Sequence, residues 1–447
     1  MRKKSLLVLL MAAVMLLSGC ELIKKDQAVD DATPILTLGD QVINKKAFLA
    51  EQNYQLAYMS YYYSMFGQSL DTSSKEAIET ARDLAATSLK ESLALNAKAK
   101  ELGLDVLTEE EEAKAQEDAK TAYESAREEY KAEFFKDTTL EGDALEEALT
   151  AKMDENGYTM DYSLTGARNS IVYSKIQDYI YRDVAVTDED IQADYDSKVA
   201  ADQEKYAENA GSFASAANGT TTLYYTPAGV RRVKQILIKF KEEDSTAISD
   251  AQAKVTSANG SIEAAQLVVD DENADAEAKT AAQTALDEAK AELEAAQAAL
   301  DEAKKTAYAN IDADADAVVE ALANGGDWTA LSEEKNEDPG MKAGALNAER
   351  GYAVASGMTN FDSAFVDAAM ALEKVGDVSG KVASDAYGYF IIKYESDMPE
   401  GAVALDSVKD SIYDALLTSK KNETYSATVD EWVKAAGIKE DLGALNN

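Results

Sequence analysis

The sequence predicts an α+β fold that is mainly helical and carries one smaller mixed unit. Three observations lead there. Ala, Glu, Asp and Lys are abundant and only 4 prolines interrupt 447 residues, a composition of helix formers with few breakers. Two short runs, Val230–Phe240 (VRRVKQILIKF) and Ala386–Tyr394 (AYGYFIIKY), are rich in β-branched and aromatic residues and read as strands. Between them lies an Ala-rich stretch whose apolar residues recur every three or four positions, which is a helical period.

The N-terminus opens with Arg2, Lys3 and Lys4, followed by the apolar run Leu6–Leu17. That run is about a dozen residues long, too short to span a bilayer. It ends in Leu17-Ser18-Gly19-Cys20, which resembles a bacterial lipobox. Residues 1–19 are therefore expected to be a lipoprotein signal peptide, with Cys20 lipidated and residues 20–34 a polar tether. A plain secretory signal with a chance cysteine is the alternative. Cys20 is the only cysteine, so no intramolecular disulfide is possible. The expected location is the extracytoplasmic face of the cell membrane, reached through a lipid anchor.

The net charge is −39, from 83 Asp and Glu against 44 Lys and Arg. This argues strongly against nucleic acid as a partner, because too little would neutralise phosphates. It also argues against flat docking on anionic lipid. The chain is too long for one core and predicts two or three domains.

Ile35–Val42 reads as strand, Gly39-Asp40 turn, and strand. A helix over Lys45–Gly67 follows, with the aromatic stripe Tyr54, Tyr58, Tyr61, Tyr62, Met65 and Phe66. Two readings stay open for this stripe: core packing, or a client-binding groove offering broad apolar contact. Further helices are expected at about Ser73–Leu102, Thr108–Phe135, Leu145–Glu155 and Met160–Arg182. Thr187 and Asp190 form a capping-box pattern that opens a helix running to about Ala207. Residues 209–229, rich in Ser, Ala, Thr and Gly, read as a linker. At the other end, Leu405–Ala436 is a helix with Val408, Ile412, Leu416, Val429 and Trp432 on its apolar side.

Residues 244–306 hold two apolar stripes. One is Ile248, Ala251, Val255, Ala258, Ile262 and Ala265; the other runs from Ala282 through Leu286, Ala289, Leu293, Ala296 and Leu300 to Ala303. Folding them about Asp270–Asp275 sets Ile262 near Ala289, Ala258 near Leu293 and Val255 near Ala296. Each large residue then faces a small one, which predicts an antiparallel coiled-coil hairpin. It is either a tolerated surface insertion or a paddle that guides a client or an unidentified partner.

The strands and the segments between them resemble a parvulin-type peptidyl-prolyl isomerase domain. Val230–Phe240 is similar to the family's first strand and Ala386–Tyr394 to its last, with Gln235 and Phe390 standing where the family carries two histidines; this chain has no histidine at all. Asn336-Glu337-Asp338-Pro339-Gly340 is similar to the family's S-x-D-P-G, Gly344-Ala345-Leu346 to its G-D-L, and Phe361–Leu372 to its pocket helix. Gly376–Val382 resembles G-x-V-S-x-P-V apart from Lys381, with Ser384 near the family's Thr. The resemblance implies a four-stranded antiparallel sheet with helices over 230–397. It also implies a catalytic group of Asp338, Gln235 and Ser384, and a proline pocket of Leu346, Phe361 or Met358, Phe365 and Phe390. No cofactor or metal is implied.

The whole order is similar to the PrsA and SurA class of extracytoplasmic foldases. That class implies a helical chaperone domain over 35–208, completed by residues 398–447, with the isomerase unit and its 244–306 hairpin inserted. The expected partners are unfolded or newly secreted polypeptides. Isomerisation needs no nucleophile, since the barrier of about 18–20 kcal/mol is amide resonance and binding the twisted form is sufficient. A weakened isomerase, a peptide-binding holdase with a degenerate isomerase unit, and a structural envelope lipoprotein all stay open. Without histidine and with one lipidated cysteine, nucleophilic triads and zinc chemistry are excluded. The runs Glu109–Glu112 and Asp312–Asp316 lack EF-hand spacing and read as solvated helix faces.

Overall fold

A computed structural model describes residues 27–136 and 138–446. Residues 1–19, expected as a signal peptide, and Cys20 lie outside the described residues. The chain divides into two compact units, 1–186 with 415–447, and 187–414.

In the first unit, a short α1 (Gln27–Asp31) precedes β1 (Pro34–Leu38) and β2 (Gln41–Asn44), an antiparallel pair turning at Gly39. The helices α2 (Lys45–Met65), α3 (Lys75–Leu102), α4 (Glu109–Phe134), α5 (Gly142–Glu155) and α6 (Met160–Tyr181) follow. Their starts obey capping chemistry: Asn44, Ser74, Thr108 and Thr159 each accept a backbone N–H from the first turn. Ile35, Leu36, Phe48, Ala85 and Leu93 form a buried cluster, closed by Ala444 near the C-terminus. Ala99, Ile176 and Ile180 bury Val429 of the long C-terminal helix, with Trp432 packed beside them.

The α2 stripe is not core: Tyr54, Tyr58, Tyr62, Met65 and Phe66 are each more than half exposed. The buried side chains of α2 are Lys45, Phe48 and Gln52, toward its start.

The second unit opens with α7 (Asp188–Tyr206), where Thr187 and Asp190 form a full capping box. Then come α8 (Ala210–Ala217), β3 (Tyr225–Thr226) and β4 (Arg231–Lys239). The 209–229 segment expected as a linker is therefore partly helical. Asn209 caps α8, and Phe213, Ala214 and Ala217 are buried in the core beside β4. An apolar face beats a flexible composition once there is a sheet to cover.

Next are α9 (Glu242–Asp270) and α10 (Ala276–Ala323), packed against each other with Ala251, Val255, Ala296 and Leu300 in one apolar cluster. Asn310 Nδ2 donates to both oxygens of the buried Asp244, at 2.9 and 3.1 Å, tying the two helices together at their base. The second arm does not end near residue 306. It runs unbroken for 48 residues, because no Gly or Pro lies between Ala276 and Ala323. Past the hairpin, Ala307, Ile311, Ala315 and Val318 cover one sheet face, formed by Ile236, Ile238, Phe240 and Ile391.

The unit continues through α11 (Trp328–Lys335), a 3₁₀ turn at Pro339–Met341, α12 (Leu346–Arg350), β5 (Tyr352–Val354), α13 (Ser363–Ala371), β6 (Val382–Ser384), β7 (Gly388–Asp397) and β8 (Gly401–Ala402). The helix α14 (Leu405–Ala436) then leads to β9 (Lys439–Glu440), which pairs with β1. Four strands form an antiparallel sheet in the order β5-β4-β7-β6. Gln235 stands opposite Ile392 and Leu237 opposite Phe390. Side chains alternate across a strand. So Val233, Gln235, Leu237, Phe390 and Ile392 share the face away from α10, where Phe365, Val366 and Val354 pack. Among the described residues no helix is long and apolar enough to cross a membrane.

Candidate functional site

Gln235 is the one polar residue in the alternating run Val233, Gln235, Leu237, and only 8% of it is exposed. A buried amide needs partners. Its Nε2 donates to Asp338 Oδ2 at 2.7 Å, and Oε1 has no hydrogen-bond partner among the described residues.

Asp338 reaches Gln235 because the loop before it is stitched to β4. Asn336, 1% exposed, accepts from Leu237 N at 2.9 Å and from Asp338 N at 3.0 Å, and its Nδ2 donates to Gln235 O at 2.6 Å. Glu337 N adds a ladder bond to Leu237 O. Asp338 then caps the 3₁₀ turn through Gly340 N, which donates to Oδ1 at 2.9 Å. A third donor is the Tyr352 phenol, 3.0 Å from Oδ2. The Gln235 amide, the Gly340 N–H and the Tyr352 phenol thus all converge on this carboxyl. Burial, and then the charge of Asp338, push the Tyr352 phenol well above its ordinary range.

Beside this polar wall lies a cleft of about 400 Å³, lined among others by Gln235, Asp338, Tyr352, Phe361, Phe365 and Phe390. The aromatic rings form a continuous chain. Tyr352 meets Phe361 edge-on at 5.1 Å, Phe361 lies 5.7 Å from Phe365, and Phe365 lies 5.3 Å from Phe390. Apolar walls with a few convergent polar groups are the common form of a small binding site, and the volume falls within the usual range.

The residues singled out from the sequence are distributed as follows. Asp338, Gln235, Phe361, Phe365 and Phe390 all line the cleft. Ser384 is buried beside it, donating to Asp362 Oδ2 at 2.7 Å, so it steadies the N-cap of α13 and not Asp338. Met358 is buried in the core cluster around Phe365. Leu346 is half-exposed on α12 and is not among the lining residues. Tyr352, Asn336 and Tyr387 are among the residues of the site and its support that the sequence did not single out. For Asn336 the signal was its place at the start of the Asp-Pro-Gly turn. For Tyr352 no local pattern existed, because its position follows from the pairing of β5 with β4.

The acidic run in α10 is used structurally. Lys381 Nζ lies 2.6 Å from both Asp312 and Asp316. It stands where the resemblance places a proline.

No family model matches the chain. A stretch of 114 residues is 36% identical to Foldase protein PrsA of Clostridium botulinum (strain Hall), covering 25% of this chain and 32% of that protein. Foldase protein PrsA of Clostridium kluyveri is 32% identical over 130 residues, covering 28% of this chain and 35% of that protein. The match thus spans about a third of the length of these relatives. Among solved structures, foldase protein PrsA from Streptococcus pneumoniae covers 93% of this chain and 98% of that one, at 13% identity and a TM-score of 0.25. A Campylobacter jejuni structure from a study of PEB4 and Cj1289, two SurA-like chaperones, covers 71% of this chain and 95% of that one, at 16% identity and the same TM-score. Over about a quarter of its length, the chain is homologous to PrsA foldases.

Proposed function

We propose that this chain is an extracytoplasmic foldase, held at the membrane through Cys20. Its cleft takes proline-containing segments of unfolded or newly secreted polypeptides and isomerises the prolyl bond. The reading is supported by the PrsA homology and by one geometric observation above all. A buried, three-donor carboxylate, Asp338, stands on the wall of an aromatic cleft.

The chemistry follows from the amide. A planar X-Pro bond is dipolar, with partial negative charge on the carbonyl oxygen, and that resonance creates the barrier. A fixed carboxylate beside the carbonyl penalises the planar dipolar form more than the twisted one. Phe361, Phe365 and Phe390 hold the proline ring and exclude water, which strengthens the effect of the charge. Gln235 holds the carboxylate in place as one family histidine would. Phe390 supplies packing and no hydrogen bond.

The second reading is a holdase with a silent isomerase unit. Phe390 favours it, because that residue puts an apolar ring where the resemblance expects an imidazole. A protease-free prolyl isomerisation assay on the mature chain separates the two. Turnover that is lost in Asp338→Ala supports the isomerase. Peptide binding without turnover supports the holdase.

A further inference from the structure

We infer that Tyr352 is a positioning residue for the isomerisation, its phenol acting with Gln235 to fix Asp338 in a chain that has no histidine. This rests on the isomerase reading above.

Two donors from neighbouring strands, Gln235 on β4 and Tyr352 on β5, meet on the same oxygen of Asp338. Gly340 N holds the other oxygen. With both oxygens engaged, the carboxylate cannot rotate without breaking a hydrogen bond, so its charge keeps one direction relative to the cleft.

The position of Tyr352 is itself strongly determined. Gly351 just before it has φ +76°, and a Cβ there would lie 2.8 Å from the Val233 carbonyl oxygen. Only glycine fits both the angle and the approach. Arg232 Nη1 donates to Gly351 O at 3.0 Å. On the outer edge of β5, the Asn218 side chain bonds both the N–H and the C=O of Ala353, at 2.7 and 2.9 Å. The phenol then enters the space beside Gly340, where any Cβ would collide with its oxygen. A glycine at 340 leaves room for a hydroxyl that a methyl would evict. The ring lines the cleft while the hydroxyl faces Asp338, so the two roles can be separated by mutation.

The test uses the mature chain, a proline-containing tetrapeptide and a protease-free isomerisation assay. Three variants are compared with the natural chain: Tyr352→Phe, Gly340→Ala and the double variant. Losing one hydrogen bond to a charged group should lower kcat about tenfold in Tyr352→Phe, with KM unchanged because the ring remains. Gly340→Ala should lower kcat similarly by displacing the phenol. The double variant should be no more than about twofold worse than either single one, since both remove the same interaction. Additive losses would overturn the inference, as would a Tyr352→Phe variant with natural kcat, or one altered in KM alone. Should Gly340→Ala fail to fold, the kcat-against-KM split in Tyr352→Phe decides. No turnover in the natural chain would overturn the isomerase reading and this inference together. Turnover that ignores Tyr352→Phe would overturn this inference alone.

Discussion

Two of the molecule's concentrations of aromatic side chains, the α2 stripe and the cleft, are built differently. On α2, Tyr54, Tyr58, Tyr62, Met65 and Phe66 project from the helix, each more than half exposed. Around the cleft, Phe365 and Phe390 are at most 4% exposed and Phe361 is half-buried, with Gln235, Asp338 and Tyr352 aimed among them. In sequence, both are aromatic residues at helix or strand spacing. The difference is convergence. The cleft rings come from β5, the loop before α13, α13 itself and β7, so their arrangement exists only in the fold. The α2 rings come from one helix and need no fold beyond it. Convergence of several elements, with polar groups fixed by several hydrogen bonds, distinguishes a built site from a coloured surface.

The comparison breaks most sharply at Phe365. It is 2% exposed and touches both the core and the cleft. Phe365→Ala should cost about 3–5 kcal/mol of stability by leaving a cavity, read from the shift of a denaturant midpoint. Phe365→Leu keeps most of the volume and should cost under about 1.5 kcal/mol while still weakening proline-peptide binding. Equal binding in Phe365→Leu would show that the ring is core alone.

Asp338→Ala should have the next largest effect. Turnover should fall by roughly a hundredfold, the size seen when one preorganised electrostatic group is removed. An unchanged rate in a folded variant would remove the carboxylate from the mechanism. Gln235 makes a companion case: Gln235→Leu removes the amide and its Asp338 bond together, so its loss should not exceed that of Asp338→Ala.

How much of this was legible in the sequence varies with the origin of each feature. The helix starts were readable because Ser74, Thr108 and Thr187 cap through local hydrogen bonds. The two stripes of residues 244–306 were readable because a period is local as well. The true end of α10 was not, since the sequence changes partner from α9 to the sheet without any backbone signal. The α8 helix was hidden by its Ser- and Ala-rich composition until a sheet gave Phe213 something to cover. At the site, Gln235 and Asp338 were named by resemblance, whereas Tyr352 depends on the register of β5 against β4. Leu346 was misplaced because Gly344-Ala345-Leu346 leads into a helix whose first residue is half-exposed.

A smaller effect should appear in alkali. Burial and the Asp338 charge raise the folded-state pKa of Tyr352 above the ordinary tyrosine value. The folded state therefore favours the neutral phenol. That contribution is fully present below the unfolded pKa of about 10 and is lost as pH rises toward the folded value. Melting temperature should thus fall above about pH 10, and less steeply in Tyr352→Phe than in the natural chain. Parallel curves would mean that other tyrosines govern the alkaline limb.

The smallest effect tests the other side of the comparison. Glu51 is the only charged residue between Lys46 and Asp71, so the exposed α2 stripe is nearly uncharged on a chain of net charge −39. Little apolar area there is removed from water within the first unit, and little stability is lost if it becomes polar. Tyr58→Ser with Tyr62→Ser should shift the stability of the folded chain by no more than about 0.5 kcal/mol per site. Prolyl turnover should not change, because the stripe and the cleft belong to different compact units. A loss near that expected for Phe365→Ala would show that the stripe is covered in the folded protein, and the distinction between surface aromatics and convergent ones would fail where it is drawn most simply.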